Sequence, residues 1–174
     1  MPCNIEIKAR LADFAATRRL VEAICDAPPE TLTQRDTFFR CSNGRLKLRE
    51  LGNGRSELIA YARVDVAGIK QSDYEVTPIS DPEGTKRVLR TSLSETAVVE
   101  KTRLLFLVGQ TRIHLDRVTG LGDFLELEVV LAPGQSAADG EAIASDLMQQ
   151  LEIPGTALLA SAYADMLTSP CASG

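Results

Sequence analysis

Apolar and polar residues alternate along most of this sequence with a period of two, which is typical of β-strands. In the first such segment, Ile5 and Ile7 share one face and Glu6 lies on the other. Asn-Gly steps at Asn43 and Asn53 separate later segments, and such steps favour tight hairpins between antiparallel strands. The pattern predicts eight strands: Cys3 to Arg10, Thr37 to Cys41, Arg45 to Leu51, Arg55 to Asp65, Lys70 to Ile79, Ala97 to Leu107, Gln110 to Val118 and Asp123 to Leu131.

Four other segments space their apolar residues as helices do. Asp13 is placed to cap the first, and Asp81-Pro82 has the form of a cap followed by proline at the first helical position. The predicted helices run from Phe14 to Ile24, from Pro82 to about Leu93, from Ala137 to Leu151 and from Thr156 to Leu167. Consecutive antiparallel strands in this number either stack as a sandwich or close into a barrel, which removes exposed edges. A chain of 174 residues is expected to form one domain, spanning 1–174.

Ionisable residues fall at positions i and i+2, so each set lies on one face of its strand. One interpretation is a solvated outer face, because charged residues are usually exposed. The other is an inward-facing lining, since the terminal helices need an apolar surface to cover outside the sheet. Such a lining suits a wet cavity that holds a polyanion and a metal ion. The sets are Glu6 with Lys8, Lys47 with Arg49, Tyr61 with Arg63, Asp73 with Glu75, Lys101 with Arg103, Arg112 with His114 and Asp116, and Glu126 with Glu128.

The overall charge and composition narrow the possible partners. A net charge of -5 and a pI near 5.0 argue against a general nucleic-acid binder, so an anionic ligand must be met by a local cluster. The longest strongly apolar run, Leu104 to Val108, is too short for a membrane span. The four cysteines form no Cys-x-x-Cys pair, which favours reduced structural thiols in a cytoplasmic protein.

Several segments, taken in their order along the chain, are similar to those of the CYTH superfamily, also called triphosphate tunnel metalloenzymes. The most specific is a glycine turn followed by Phe-x-Glu-x-Glu, and the resemblance runs from about residue 3 to about residue 167. It implies an α+β fold with a closed eight-stranded antiparallel β-barrel that binds a triphosphate and has its helices packed outside. Activities in the superfamily include class IV adenylyl cyclase, thiamine triphosphatase and inorganic triphosphatase. The segments are Asn4 to Lys8, Leu46 to Arg49, Glu100 to Arg103, Arg112 to Asp116, Gly120 to Glu128 and Ser161 to Tyr163.

The resemblance also implies roles for the residues at matching positions. Glu6, Lys8 and Glu75 are the catalytic candidates, with Glu6 orienting or deprotonating a water and Glu75 serving a second carboxylate cluster. The expected cofactor is Mg²⁺ or Mn²⁺, held by Glu6, Asp116, Glu126 and Glu128. The expected triphosphate contacts are Lys8, Lys47, Arg49, Arg63, Lys101, Arg103, Arg112 and His114; for His114, pairing with Asp116 is the alternative.

Three positions depart from the superfamily pattern. Asn4 stands where the opening Glu-x-Glu-x-Lys motif has its first glutamate. Tyr61 stands near the position of a phosphate-binding lysine, and Ala160 stands where a basic residue often precedes Ser-x-Tyr. These changes bear on metal affinity and substrate choice.

Three functions follow as hypotheses. The leading one is metal-dependent hydrolysis of the terminal phosphoryl group of inorganic triphosphate or of a nucleoside or other organic triphosphate. The second is cyclisation of ATP in the same tunnel with release of pyrophosphate, and the third is a non-catalytic module that binds triphosphate or polyphosphate. A Ser-His-Asp hydrolase is disfavoured, because no Gly-x-Ser-x-Gly elbow accompanies the one histidine. The expected partner is a small-molecule triphosphate, bound by a monomer or homodimer.

Overall fold

Eight antiparallel strands form the framework of the protein. The structure, a computed structural model, describes residues 3–63 and 70–168. The strands are β1 (Cys3–Arg10), β2 (Glu30–Phe39), β3 (Arg45–Leu51), β4 (Ser56–Arg63), β5 (Lys70–Ile79), β6 (Glu95–Val108), β7 (Thr111–Val118) and β8 (Gly122–Val130). The helices are α1 (Phe14–Ile24), α2 (Pro82–Ser92), α3 (Ala137–Gln150) and α4 (Tyr163–Thr168), with a 3-10 turn at Gly155–Ala157. None of the helices in these two ranges is long and apolar enough to cross a membrane.

The strands form one curled sheet in the order β1-β5-β4-β3-β2-β6-β7-β8. One edge of β1 pairs with β8 from Asn4, opposite Val130, to Arg10, opposite Phe124. Its other edge pairs with β5 over four positions in the described ranges, Cys3 to Glu6. The sequence prediction of an α+β protein with eight antiparallel strands is confirmed. β1 therefore has a hydrogen-bonded neighbouring strand on each of its edges.

Apolar side chains cover the outer face of β1, β7 and β8. Residues such as Ile113, Leu115 and Leu127 are fully buried there, and they form one cluster with Val21 of α1 and with Leu147 of α3. Alternation of side chains along a strand then turns the residues between them to the inner face. The helices therefore pack on the outside, and the charged positions point inward.

Close packing of α3 on the sheet depends on a glycine. A Cβ atom at Gly140 would lie 2.6 Å from side-chain carbons of both Ile5 and Leu131. Capping also fixes where the helix begins, because Ser136 and Asp139 form a reciprocal capping box. Both features hold α3 against the outer apolar face of β1.

Two predicted elements differ from the structure. The second strand begins at Glu30, seven positions before the predicted start at Thr37. The last helix was predicted from Thr156, but the α-helix begins only at Tyr163. The 3-10 turn at Gly155–Ala157 is followed by extended chain: Leu158 bridges Ala9, and the Leu159 N–H donates to the Lys8 carbonyl at 2.9 Å. Pairing with β1 competes successfully with local helix formation at these residues.

Candidate functional site

The inner face of the curled sheet lines a cavity of about 390 Å³. Its lining contains side chains of both charges, which agrees with the inward-facing interpretation of the alternating charges. The cations in the lining are Lys8, Lys47, Arg49, Lys101, Arg103 and Arg112, and the carboxylates are Glu6, Asp36, Glu57, Glu126 and Glu128.

Strand register gives this cavity a direction. Arg112 is opposite Glu128, and Glu128 is opposite Glu6, close to the start of β1. The side chain of Arg112 is 46% exposed, so the cavity opens to water at this end. Tyr163 of α4 covers the opposite end, where it packs against Phe124. We call the Arg112 end the mouth and the Tyr163 end the floor.

Asp116 holds two cations in place behind the lining. The carboxylate is fully buried, and it accepts hydrogen bonds from Arg103 Nε at 2.7 Å and Nη2 at 2.6 Å. Lys101 Nζ lies 3.3 Å away, and the Tyr163 hydroxyl donates to the same carboxylate at 3.0 Å. Burial opposes ionisation, but Arg103 and Lys101 lower the pKa of Asp116 to about 2. These groups occupy both of its oxygens, so Asp116 positions cations in this structure, and its expected role as a metal ligand stays a prediction.

Asp36 does the same on the other side of the cavity, and the sequence analysis missed it. It accepts from Lys47 Nζ at 2.9 Å and from Arg49 Nε and Nη2, each at 2.7 Å. Burial favours the protonated acid, yet Lys47 and Arg49 hold the pKa of Asp36 well below its usual range. Starting the strand at Thr37 left Asp36 in a loop, although its alternation with Gln34 and Phe38 was a usable signal. We call these two groups, Asp36 with Lys47 and Arg49, and Asp116 with Lys101 and Arg103, the two anchored cation pairs.

Glu126 lies between these cations and β1. Lys8 Nζ is 2.6 Å from Glu126 Oε1, and Arg103 donates to Oε2 at 2.5 Å. Burial would raise the pKa of Glu126, but Lys8 and Arg103 hold it well below its usual range. The Lys8 ammonium also sits 3.4 Å from the centre of the Tyr163 ring, a cation–π contact that fixes its position at the floor.

His114 lies beside two carboxylates, Glu126 and Glu128. Its Nδ1 is buried and makes no hydrogen bond among the described residues. It lies 3.6 Å from Glu126 Oε2 and 3.7 Å from Glu128 Oε1, and one ligand atom from each of the three residues falls within a 4.8 Å group. A buried imidazole nitrogen beside two carboxylate oxygens fits a divalent ion. The sequence analysis placed His114 with the phosphate contacts instead.

Charge balance also leaves room for such an ion. Among the described side chains, six cations of the lining face five carboxylates, with Asp116 as a sixth behind them. The cavity therefore has no excess positive charge to balance a bound triphosphate, and a divalent cation would supply that positive charge. The residues present fit the metal ion that the resemblance implies.

The structure does not bring all the predicted residues into the cavity. Glu75 is exposed and absent from the lining, because Tyr74 and Val76 on either side of it point inward. The second carboxylate cluster expected around Glu75 is not formed by that residue. Arg63 ends β4, and its side chain, like that of Asp73, lies outside the described part of the structure.

The CYTH domain profile matches residues 3–163. The chain belongs to the CYTH family. This CYTH protein is 28% identical over 163 residues to the adenylate cyclase CyaB of Aeromonas hydrophila, covering 89% of this chain and 80% of the relative.

Solved structures share the fold. The PH1012 protein of Pyrococcus horikoshii OT3 has a TM-score of 0.82 at 24% identity, covering 93% of this chain and 98% of that one. HpAC1 of Hippeastrum, described as a candidate adenylyl cyclase with a dominant triphosphatase activity, has a TM-score of 0.66 at 17% identity, covering 94% and 93%. At these identities the likeness establishes the architecture.

Proposed function

We propose that this CYTH protein binds a triphosphate within its curled sheet, as in a closed tunnel, and hydrolyses the terminal phosphoryl group with the help of a divalent ion. The observation that carries the proposal is the convergence of the cations of the two anchored pairs on one cavity that Glu126 and Glu128 also line, with His114 beside these two carboxylates. The dominant triphosphatase activity described for HpAC1 supports hydrolysis in a protein of the same fold.

The cations would hold the phosphate chain. Guanidinium forks match pairs of phosphate oxygens, and Asp36 and Asp116 keep Arg49 and Arg103 aimed before substrate arrives. Such preorganised charge is the main source of catalysis in phosphoryl transfer, because the protein does little covalent chemistry there. Burial and the neighbouring Arg103 lower the pKa of Lys101 to about 7, so a bound phosphate would draw a proton onto this lysine.

Glu126, Glu128 and His114 would hold the divalent ion, Mg²⁺ or Mn²⁺. When bound, the ion would neutralise phosphate charge and activate water. Lys8 and Arg103 already contact Glu126, so the phosphate-binding groups and the ion-binding groups adjoin. Glu6 lines the cavity opposite Glu128 and is our candidate for orienting the attacking water.

Phosphate release from tripolyphosphate and from ATP, with Mg²⁺ or Mn²⁺, tests the proposal. A Glu126→Gln, Glu128→Gln double variant is expected to lose at least about a hundredfold in kcat/KM, since it removes two charges that organise the site. The matched control is Glu75→Gln, which changes an exposed carboxylate on the outer face and should keep full activity. Unaltered hydrolysis by the double variant would overturn the site assignment.

Cyclisation of ATP is the second candidate, because the Aeromonas relative is an adenylate cyclase. The same cations would then hold a triphosphate while the ribose 3′-hydroxyl attacks the α-phosphorus and pyrophosphate leaves. Chromatography of ATP incubations separates the two reactions. Cyclic AMP with pyrophosphate indicates cyclisation, and ADP with phosphate indicates hydrolysis.

A further inference from the structure

The floor of the cavity is covered by α4, a helix of six residues. Its first residue, Tyr163, makes three contacts with charged groups of the site. The hydroxyl donates to Asp116 at 3.0 Å, and the centre of the ring lies 3.4 Å from Lys8 Nζ and 5.0 Å from Lys101 Nζ. An ammonium group over an aromatic face is attracted by the negative potential of the ring. The positions of both lysines and of the Asp116 carboxylate therefore depend on where α4 lies.

α4 packs against the protein on one side only. Tyr163 and Ala164 join a buried cluster with Val99 and Phe124. The other side of the helix borders a separate pocket of about 630 Å³, and Thr168 at the end of the helix lines it. A helix this short is marginal unless tertiary contacts hold it. The helix therefore has space behind it into which it can shift.

An ion pair between Arg45 and Asp165 joins α4 to the start of β3. Arg45 Nη1 donates to Asp165 Oδ1 at 2.9 Å, and Nη2 donates to Oδ2 at 2.8 Å. The same Oδ2 accepts from the Ala162 N–H at 3.1 Å, immediately before the helix begins. Two parallel bonds between a guanidinium and a carboxylate fix orientation as well as distance. Asp165 therefore fixes both the start of α4 and its orientation relative to the sheet.

This ion pair connects the two anchored cation pairs without entering the cavity. Arg45 lies two and four positions before Lys47 and Arg49, and so on the same face of β3 as these two cations. Tyr163 contacts the other anchored pair through Asp116. Neither partner of the ion pair is among the described residues that line the cavity, so neither would touch a bound triphosphate. The ion pair fixes one group of cations relative to the other.

We infer that Asp165 and Arg45 are positioning residues for the proposed reaction, and that they act through Tyr163 to keep Lys8 and Asp116 aligned with the other charged groups. This inference rests on the proposed function, because it assumes that the cations hold the triphosphate. The side chains of Arg45 and Asp165 are 22% and 41% exposed, and ion pairs this exposed add little to global stability. A small misplacement of groups that contact the substrate costs far more in rate. Loss of the ion pair should therefore lower turnover more than it lowers resistance to unfolding.

Steady-state hydrolysis of tripolyphosphate with Mg²⁺ or Mn²⁺, beside urea unfolding, tests the inference in Asp165→Asn and Arg45→Met. Asparagine keeps an oxygen for the Ala162 N–H and loses the charge. Each variant is expected to lower kcat about tenfold or more, to change KM less than about threefold and to unfold close to the urea midpoint of the parent protein. Arg45→Lys keeps the charge and should recover part of the lost kcat. The matched control is Arg18→Met, which removes an exposed ion pair on α1 and should keep full activity.

A double-variant cycle tests whether the effect passes through Tyr163. Tyr163→Leu removes the ring and the hydroxyl and should itself lower kcat. Adding Asp165→Asn to Tyr163→Leu should then lower kcat by less than about a further twofold, because the contact through which Asp165 acts is already lost.

The outcomes separate the inference from the proposed function. The inference would be overturned by equal fold losses from Asp165→Asn in both backgrounds, or by a kcat within twofold of the parent value in both Asp165→Asn and Arg45→Met. Unfolding of these variants that accounts for their lower activity would also overturn it, and all three results leave the proposed function intact. Absence of phosphate release by the parent protein would overturn the proposed function, and the inference with it.

Discussion

The two faces of β7 and β8 belong to the same strands but meet opposite requirements. On the outer face, Ile113, Leu115 and Leu127 are fully buried under helices. On the inner face, Asp116 is fully buried and the Glu126 side chain is 16% exposed, yet both carboxylates are ionised and held by cations. The comparison teaches that burial alone does not distinguish the core from the site. The two differ in what surrounds the buried groups: apolar side chains surround the residues of the core, whereas charged partners surround the residues of the site.

The largest effect is expected where an inner charge loses its partner. Arg103→Met leaves Asp116 buried with Lys101 and Tyr163 as its remaining partners among the described residues, and it should lower the free energy of unfolding by about 3–5 kcal/mol. Arg112→Met is the matched control, because Arg112 is 46% exposed and 3.8 Å from Glu128, and it should stay within about 0.5 kcal/mol. Denaturant unfolding at pH 7 measures both. A loss of unfolding free energy in Arg103→Met as small as that in Arg112→Met would mean that the hydrogen bonds between Arg103 and Asp116 add little to stability.

A truncation on the outer face should destabilise without altering the site. Leu127→Ala creates a cavity in the cluster under α1 and α3, and it should lower the free energy of unfolding by about 2–5 kcal/mol. Because Leu127 points away from the cavity, the Kd for tripolyphosphate of the folded protein should stay within twofold. Urea unfolding and calorimetry give the two quantities. A large rise in Kd would show that the faces are energetically coupled.

Metal binding should distinguish His114 from other polar residues of β7. His114→Gln is expected to weaken Mn²⁺ about 10–100-fold and to abolish the nitrogen coupling of bound Mn²⁺ in pulsed electron paramagnetic resonance. Arg117→Gln changes an exposed side chain of the same strand and should leave both readouts unchanged. Retention of the nitrogen coupling in His114→Gln would remove His114 from the ion site.

A smaller effect is expected from pH. Because the pKa of Lys101 is about 7, this lysine must take up a proton to bind the triphosphate as a cation above pH 7. Triphosphate binding should therefore weaken by up to about tenfold for each pH unit above 7. The arginine of a Lys101→Arg variant stays protonated at pH 8, so this variant should take up fewer protons than the parent protein when it binds triphosphate. Calorimetry in two buffers measures the difference. In the absence of ligand, stability should rise between pH 7 and about 10, because the unfolded lysine keeps the proton that the folded one releases. Identical proton uptake in both proteins would contradict this.

Features of the site that depend on neighbouring residues in the sequence could be predicted, whereas features that depend on the folded sheet could not. Alternation is local, so the charged sets of β3, β6 and β8 were readable from sequence. Which face points inward is not local: on β5 the inner residues are Tyr74 and Val76, and the charged Glu75 points outward. For this reason Glu75 lies outside the cavity in which the sequence analysis expected it.

Sequence patterns also could not predict which side chains contact one another inside the cavity. Asp116 matched a metal-binding position, but Arg103 and Tyr163 occupy its oxygens, and Tyr163 comes from a distant part of the chain. The extended segment before α4 depends likewise on pairing with β1, which local helix propensity does not register.

The contact between Lys8 and the Tyr163 ring joins the first strand to the last helix of the described chain. During translation Lys8 is synthesised early and Tyr163 late. A nascent chain therefore contains the Lys8 ammonium group long before the aromatic ring that fixes its position. Assembly of the cavity floor is therefore tied to completion of translation through α4.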